Sequence, residues 1–167
     1  MSDLYYELLV KKNQTAKDKL TKFGLIGAIV ILGVGGILLN PIFLIAAMIL
    51  GIVAYFVLPS TDIEFEYLFV NGEMDVDRVM SKTKRKRAKS FSIKDAEIIA
   101  SMKSHRLDYY KNNQKMKTLD FSSGDPEHFR LAVITRDGTE PCMIIIEPDE
   151  KLTGQIKYCA PSKVFLD

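Results

Sequence analysis

The stretch FGLIGAIVILGVGGILLNPIFLIAAMILGIVAYFVLPST, residues 23–61, decides the architecture of this 167-residue chain. It runs for 39 residues without an Asp, Glu, Lys, Arg or His, whereas 26% of the whole chain is charged. A bilayer-spanning helix needs about 20 mostly apolar residues, so the stretch has room for two passes. It therefore excludes a purely soluble domain and a disordered chain.

The middle of the apolar stretch contains a turn signal at Asn40-Pro41. Proline lacks a backbone N–H and disfavours a helical residue before it, so we expect helices at 22–39 and 42–58 with a turn between them. Small residues give the two helices faces that can approach closely. They are Gly24, Gly27, Gly33, Gly35 and Gly36, then Ala46, Ala47, Gly51 and Ala54. The sequence predicts a packed two-helix transmembrane hairpin over 22–60.

Two other interpretations of the apolar stretch fit less well. A buried hairpin in a soluble core would keep some polar face. A secretory signal has an apolar region of about 7 to 15 residues followed by a small-x-small cleavage pattern. This stretch is longer and ends at Leu58-Pro59-Ser60 without such a pattern.

The distribution of basic residues predicts the orientation in the membrane. Positive residues remain on the cytoplasmic side. The connection at Asn40-Pro41 is uncharged, and lysines precede the first helix at positions 11, 12, 17, 19 and 22. We therefore expect a multi-pass protein of the cell (inner) membrane with both termini cytoplasmic. Residues 1–21 form an amphipathic N-terminal segment, in which Asp3 to Lys12 has helical spacing and would lie on the bilayer or on the cytosolic domain.

Residues 61–167 have the alternating pattern of strands and form the predicted cytosolic domain. Strands at 63–70 and 74–79 flank Asn71-Gly72, a strong two-residue hairpin turn. A second hairpin joins 129–135 to 142–147, where Met143 to Ile146 is apolar enough to be buried on both faces. The remaining predictions are strands at 90–93 and 117–121, a strand edge or helical turn within 94–102, and a helix at 149–159. This gives about seven strands and one closing helix.

This order of elements resembles a known family. The opening DLYYELLVKK (3–12), the Tyr67 to Arg87 stretch and the segment FSIKDAEI (91–98) are similar to an uncharacterised family of small two-pass membrane proteins of Gram-positive anaerobes. Those proteins carry a bacterial pleckstrin-homology-like (PH-like) cytosolic domain. The resemblance implies an α+β fold in which a mainly antiparallel, partly open β-barrel is closed by the C-terminal helix. It implies no established catalytic activity.

The charges of the cytosolic domain are unevenly ordered along the sequence. Residues 62–77 sum to −6, residues 78–117 to +10 and residues 118–167 to −4. The centre of the basic part is a run whose cations are the candidate lipid- or partner-binding residues: Lys82, Lys84, Arg85, Lys86, Arg87 and Lys89. Each cation near an anionic leaflet gains about 1 kcal/mol. Equally, lysines on an edge strand can serve only to block aggregation. The absence of interleaved aromatic residues argues against nucleic acid.

Motifs for catalysis are missing from the sequence. His105 and His128 are in no metal-ligand spacing, and the alternating acids Glu64/Glu66 and Asp75/Asp77 are typical of the wet face of a strand. No glycine-rich phosphate loop or nucleophile elbow is present. We therefore predict no catalytic, cofactor-binding or metal-binding residue. A deep pocket that joins His105 or His128 to carboxylates would favour an enzyme.

These patterns predict a non-enzymatic, membrane-anchored interaction module. Its cytosolic domain would bind a protein partner, or a second copy to form a homo-oligomer, at the inner leaflet of the lipid bilayer. The alternative is binding of anionic lipid headgroups through the basic run at 82–89. An unrecognised enzyme is the third interpretation and has no motif in its support.

Overall fold

The computed structural model describes residues 5–166. The chain divides into two compact units. The helical unit comprises residues 14–63 and 80–84, and the β unit comprises residues 1–13, 64–79 and 85–167.

Two helices make up most of the helical unit. Helix α1 (Ala16–Leu38) begins earlier than the expected residue 22, because Thr15 and Asp18 form a reciprocal capping box. The Asp18 N–H donates to the Thr15 side chain at 3.2 Å, and the Thr15 N–H donates to the Asp18 carboxylate at 3.0 Å. Capping satisfies N–H groups that have no partner within the helix. Helix α2 (Ile42–Val57) begins after Pro41, as the sequence predicts, and continues into a 3₁₀ turn, Leu58–Thr61.

Both helices are long and apolar enough to cross a membrane. Mean hydropathy is 2.0 for Ala16–Leu38 and 2.6 for Ile42–Thr61, and 6% of each segment is buried. A core helix of a soluble protein would be mostly buried, so the exposed apolar surface is consistent with a two-pass membrane protein. The helices approach closely at one glycine, since a Cβ atom on Gly36 would lie 2.6 Å from Leu44. By contrast, Gly24, Gly27 and Gly33 face open space.

The N-terminal segment is a strand, so the helix expected over Asp3 to Lys12 is wrong for its described part. Strand β1 (Tyr5–Lys11) pairs antiparallel with β2 (Ile63–Val70), from Tyr5 opposite Val70 to Lys11 opposite Glu64. Its buried Val10 lies opposite Phe65, which is also buried. The apolar residues of this segment fit a period of two as well as a helix, and pairing with β2 decides between them. Asp3 and Leu4 lie outside the described residues.

The first sheet has the strand order β1-β2-β3-β4. The predicted hairpin turn between β2 and β3 (Glu73–Met80) is confirmed, with positive φ at Asn71 (52°) and Gly72 (99°). Such φ values are the requirement of a type I′ turn, which glycine and asparagine tolerate best. Strand β4 (Lys84–Ser92) begins well before the expected residue 90, so the basic run lies on a strand.

The second sheet has the order β6-β8-β7-β5-β9. Its centre is the predicted hairpin of β7 (Leu131–Asp137) and β8 (Glu140–Ile146), whose residues Met143 to Ile146 are buried as expected. Strand β5 (Ile98–Ser101) is antiparallel to β7. The outer strands β6 (Lys117–Asp120) and β9 (Val164–Phe165) run parallel to their neighbours.

Two helices complete the β unit. A short helix, α3 (Asp108–Lys111), follows a 3₁₀ turn at His105–Leu107. The C-terminal helix predicted at 149–159 is confirmed as α4 (Glu150–Cys159), with Asp149 as its N-cap. The Asp149 side chain accepts from the Leu152 N–H at 2.8 Å, which explains why the helix begins there.

The predicted mixed α+β class is confirmed, but the barrel is not. The two sheets formed by residues 5–166 hold nine strands, rather than about seven, and neither sheet closes. Strands β1 and β4 end one sheet, and β6 and β9 end the other. A closed barrel would leave no such edges, so this domain has strand edges available for pairing.

Candidate functional site

The basic run on β4 divides into two sets of alternating residues. Arg85, Arg87 and Lys89 each form an ion pair with an acidic residue of another strand. Arg85 binds Glu66 through two contacts of 2.9 and 3.0 Å, Arg87 lies 2.9 Å from Asp75, and Lys89 lies 2.7 Å from Asp137. Arg87 Nε also lies 3.7 Å from Asp77, so Glu66, Asp75 and Asp77 all neutralise arginines. These contacts make the paired set part of the fold of the β unit.

Glu66 lies in a dry environment despite its charge. Burial raises the pKa of its carboxyl, a hydrogen bond to Glu7 raises it further, and the charge of Arg85 opposes both effects. An acid buried against another carboxyl needs a cation to remain ionised. Arg85 supplies that cation, so its charge is committed to Glu66.

Asp137 has the opposite electrostatic environment. Lys89 donates to one carboxylate oxygen at 2.7 Å and Lys117 to the other at 3.0 Å. These two hydrogen bonds lower the pKa of Asp137 to about 2. Lys89, predicted as a binding residue, thus joins β4 to the turn of the β7–β8 hairpin.

Lys82, Lys84 and Lys86 form the second set, which is exposed, as Arg85 and Arg87 also are. Within the described residues, Lys82 and Lys86 make no ion pair. Lys84 belongs to the helical unit, where its Nζ lies 5.5 Å from the ring centroid of Tyr55 and 6.0 Å from that of Phe56. Both rings are exposed in the last turn of α2. Cation–π attraction therefore holds Lys84 beside the end of an apolar helix.

The turn that presents Lys82 has an unusual backbone. Ser81 and Lys82 have φ values of 48° and 58°, which L-residues other than Asn and Asp seldom adopt. The Ser81 N–H donates to the Asp62 carbonyl oxygen at 2.8 Å and the Thr83 N–H to that of Met80 at 3.1 Å. These bonds attach the turn to the segment that follows α2, within the helical unit.

The sequence did not reveal a cleft of about 750 Å³ in the β unit. One wall is strand β1, from Leu8 to Lys11, and the other walls are segments 123–129 and 147–149. The helix expected over Asp3 to Lys12 does not predict this cleft, because only a strand places residues 8–11 at a sheet edge beside these loops. The Asn13 N–H donates to the Ser123 carbonyl oxygen at 2.8 Å and closes one end.

Ser123, His128 and Glu147 line this cleft. A serine, a histidine and an acid are also the residue types of a catalytic triad. Ser123 Oγ lies 3.3 Å from His128 Nδ1, and Glu147 Oε1 lies 2.8 Å from the same nitrogen. In a working triad the hydroxyl and the carboxylate use different ring nitrogens, so that one accepts the proton while the other is held. Here both converge on Nδ1, and Ser123 Oγ also accepts from the Asp125 N–H at 3.1 Å. The contacts of this cluster order the loop, and their arrangement differs from that of a catalytic triad.

The second histidine, His105, does not line the cleft. His105 is fully exposed and contacts Asp108 at 3.3 Å. Among residues 5–166, no three His, Cys, Asp or Glu side chains are placed to hold a metal ion.

A buried tyrosine connects the two sheets behind the cleft. The Tyr67 hydroxyl donates to the Phe121 carbonyl oxygen at 2.5 Å and accepts from the Glu147 N–H at 3.2 Å. Burial raises the pKa of Tyr67 well above its ordinary value. At the cleft itself, the Tyr6 hydroxyl donates to the Asp149 carboxylate, so β1 is fixed to the start of α4. These hydrogen bonds join β1 and β2 to segments that line the cleft.

The chain was compared with protein families, curated proteins and solved structures. The family model described as "Bacterial PH-like domain (DUF6106)" matches residues 2–166. No curated protein and no solved structure matches the chain.

Proposed function

The chain belongs to the bacterial PH-like domain family (DUF6106), and from that premise we propose that it is a non-enzymatic interaction module which two apolar helices anchor in a membrane. The β unit would bind an extended segment of a protein partner at the inner leaflet. The observation that carries this proposal is the cleft beside the edge strand β1.

An edge strand can accept a further strand from a partner. In the described residues β1 pairs only with β2, and its outer edge borders the cleft. Backbone hydrogen bonds supply affinity in such strand addition, and neighbouring pockets supply specificity. Leu9 (58% exposed) and Phe129 (44% exposed) give the cleft apolar surface that a partner would cover.

Site-specific crosslinking tests this surface. A photo-crosslinking amino acid replaces Leu9 in the full-length chain in native membranes, and Tyr158, an exposed aromatic residue of α4, is the matched control. We expect a discrete adduct at position 9 and none at position 158. An adduct of twice the chain mass would identify a second copy as the partner. Equal crosslinking at both positions, or none at either, would contradict the proposal.

Binding of anionic lipid is the second candidate function. The specific observation in its favour is Lys84, which contacts exposed aromatic rings at the end of α2, with Lys82 on the adjoining turn. Aromatic rings at helix ends are typical of the membrane interface, where anionic headgroups attract lysines. Arg85, Arg87 and Lys89 contribute less to this candidate, because their charges are already paired.

Lipid retention tests this second candidate. The full-length chain is released from nanodiscs of phosphatidylcholine and phosphatidylglycerol, and bound lipid is counted by native mass spectrometry. Replacing Lys82→Gln and Lys84→Gln together should lower the retained phosphatidylglycerol at least twofold. Lys115→Gln with Lys157→Gln removes the same charge elsewhere and should leave it unchanged. Equal losses in the two double variants would exclude a specific lipid site.

The proposed function requires the β unit to lie in the cytoplasm. Labelling with an impermeant thiol reagent tests this orientation in a background where Cys142 and Cys159, both free thiols, are replaced by alanine. A cysteine from Asn40→Cys should react in intact cells, and one from Ser162→Cys only after permeabilisation. Labelling of Ser162→Cys in intact cells would show that the β unit lies outside the cytoplasm and would contradict the proposed orientation.

A further inference from the structure

The segment 103–117, KSHRLDYYKNNQKMK, is a second concentration of positive charge in the β unit. It contains five cations and one acid. One of the cations, Lys117, forms an ion pair with an acid of the β7–β8 turn. Lys103, Lys111 and Lys115 form none within residues 5–166. These three lysines therefore give the segment a positive charge that the fold does not neutralise.

Aromatic residues distinguish this segment from the basic run at 82–89. That run contains none, and their absence argues against nucleic acid there. In the segment 103–117, Tyr109-Tyr110 stands between two cations, with Arg106 before it and Lys111 directly after it. Proteins that bind single-stranded nucleic acid combine cations with aromatic rings on which bases stack. The segment therefore contains both residue types that such binding needs.

Tyr109 presents its ring to solvent. The residue is 77% exposed, and its ring packs edge to face against that of Tyr110, with centroids 5.4 Å apart. Tyr110 is held in turn, because its hydroxyl donates to the Glu97 carboxylate at 2.6 Å. Tyr109 is thus an exposed ring beside a neighbour that is fixed by a hydrogen bond, and a base can stack on it.

The segment is fastened to the β unit on both sides of Tyr109. Leu107 is fully buried in the apolar cluster to which β5, β7 and β8 contribute. The Lys111 ammonium donates to the Met102 carbonyl oxygen at 2.7 Å. Groups that the fold already holds lose less conformational freedom when a ligand binds. The ring and the lysines are therefore placed before any ligand arrives.

Exposed amide side chains lie in the same segment. Asn112 and Gln114 are exposed, and the Met116 N–H donates to the Asn113 carbonyl oxygen at 3.0 Å, so the chain turns tightly here. Amide side chains both donate and accept hydrogen bonds, which matches the edges of unpaired bases. An anionic leaflet or an acidic protein segment would attract the lysines but presents no base for the ring or the amides. These groups therefore favour nucleic acid over the other anionic partners.

We propose that the segment 103–117 binds single-stranded nucleic acid. Lys103, Lys111 and Lys115 neutralise phosphates, and one base stacks on Tyr109. Stacking uses the face that every base has, so the binding tolerates many sequences. The surface is separate from the cleft beside β1 and from the lipid candidate at the end of α2. Strand addition and nucleic-acid binding can therefore fail independently.

A titration of a short, fluorescently labelled oligouridine with the full-length chain in an uncharged detergent tests the proposal. Fluorescence anisotropy should show saturable binding, which Tyr109→Ala weakens about fivefold or more. Tyr158→Ala is the matched control, because Tyr158 is also 77% exposed, and it should leave binding unchanged. Tyr109→Trp keeps an aromatic face and should bind at least as tightly as the wild type. Equal losses in the two alanine variants, or no saturable binding by the wild type, would overturn the proposal.

Salt dependence tests the lysines. Each phosphate neutralised on a single strand contributes about −0.7 to the slope of log K against log salt concentration. Lys103→Gln with Lys115→Gln should therefore make the slope shallower by about 1.4. Lys82→Gln with Lys84→Gln removes the same charge from the run without aromatic residues and should leave the slope unchanged. Equal changes in the two double variants would contradict the proposed site. This comparison also decides if Tyr109→Ala lowers the melting temperature, because both lysines of the segment are exposed.

Competition separates nucleic acid from other anionic partners. Poly-glutamate should displace the labelled oligouridine at least tenfold more weakly than unlabelled oligouridine does. Equal displacement would assign the segment to acidic proteins and reject nucleic acid. Oligouridine binding that Tyr109→Ala leaves unchanged would mean that the lysines act alone, as they would towards an acidic protein or an anionic leaflet, and it would also reject the proposal.

Discussion

The helical unit and the β unit use the same apolar residue types in opposite ways. Ile31 and Ile49 in the helices are 73% and 60% exposed, whereas Ile144 and Ile146 on β8 are fully buried. Burial of apolar surface from water stabilises the β unit. The exposed isoleucines of α1 and α2 are favourable only if their surroundings are themselves apolar. The comparison therefore indicates that the helices and the β unit require different surroundings, apolar for the helices and aqueous for the β unit.

The largest expected effect separates two isoleucines. Ile144→Ala leaves a cavity in a fully buried site and should lower the free energy of unfolding by about 2–5 kcal/mol. Ile31→Ala removes a similar side chain from an exposed position in α1, where each apolar residue contributes only about 0.3–0.6 kcal/mol to insertion. Urea denaturation in mild detergent, followed by tyrosine fluorescence, compares the two variants. Equal losses would show that the helices share the aqueous environment of the β unit.

A charge placed in the helices tests the apolar surroundings directly. Ile31→Arg or Ile49→Arg should cost about 2.5–3.5 kcal/mol of insertion free energy near a helix centre. The measurement is the fraction of the protein that resists alkaline extraction from membranes. Asn40→Lys, in the turn between the helices, is the control and should be extracted no more than the wild type. Full retention of both arginine variants would argue against two membrane passes.

The buried Tyr67 hydroxyl joins two segments of the β unit by hydrogen bonds, whereas the facing side chains of the two helices are apolar. Tyr67→Phe removes the hydroxyl that bonds Phe121 and Glu147, and it leaves the buried Phe121 carbonyl oxygen and the part-buried Glu147 N–H without that partner. The expected loss of stability is about 1–3 kcal/mol. Tyr158→Phe makes the same change on the exposed face of α4 and should shift stability by less than about 0.5 kcal/mol. Urea midpoints of the two variants give the comparison, and a shift as large in Tyr158→Phe would contradict it.

The sequence predicted those parts of the fold that depend on local signals. The helices of the uncharged stretch at 23–61, the Asn71-Gly72 turn and the helix expected at 149–159 follow from neighbouring residues, and each is confirmed as an element. Strand β1 was mistaken for a helix because its period is ambiguous until β2 pairs with it. The prediction of a barrel was wrong, because closure of a sheet depends on which strands pair over long sequence distances.

The candidate site was harder to predict than the fold. The sequence predicts the basic run, but the division of its cations into those with and those without an acidic partner depends on Glu66, 19 residues from Arg85, and Asp137, 48 residues from Lys89. The cleft uses residues 127–129 of a loop that lies beside strand β1, far away in sequence. No periodicity or motif reports such contacts.

The smallest expected effect concerns two carboxylates of the β unit, Glu66 and Asp137. Glu66 is buried, whereas Asp137 is partly exposed to water. Lysine pairing lowers the pKa of Asp137 to about 2, so Asp137 stabilises the fold above pH 4, and that stabilisation is lost as pH falls towards 2. Burial raises the pKa of Glu66, so its contribution is present at low pH and declines as pH rises through its folded-state pKa. We therefore expect Asp137→Asn to flatten the acid side of the stability profile, whereas Glu66→Gln should remove the decline on the other side. Urea midpoints of the wild type and both variants from pH 2 to 8 give the profiles. Profiles parallel to that of the wild type would mean that neither lysine pairing at Asp137 nor burial at Glu66 shifts the pKa of the carboxyl.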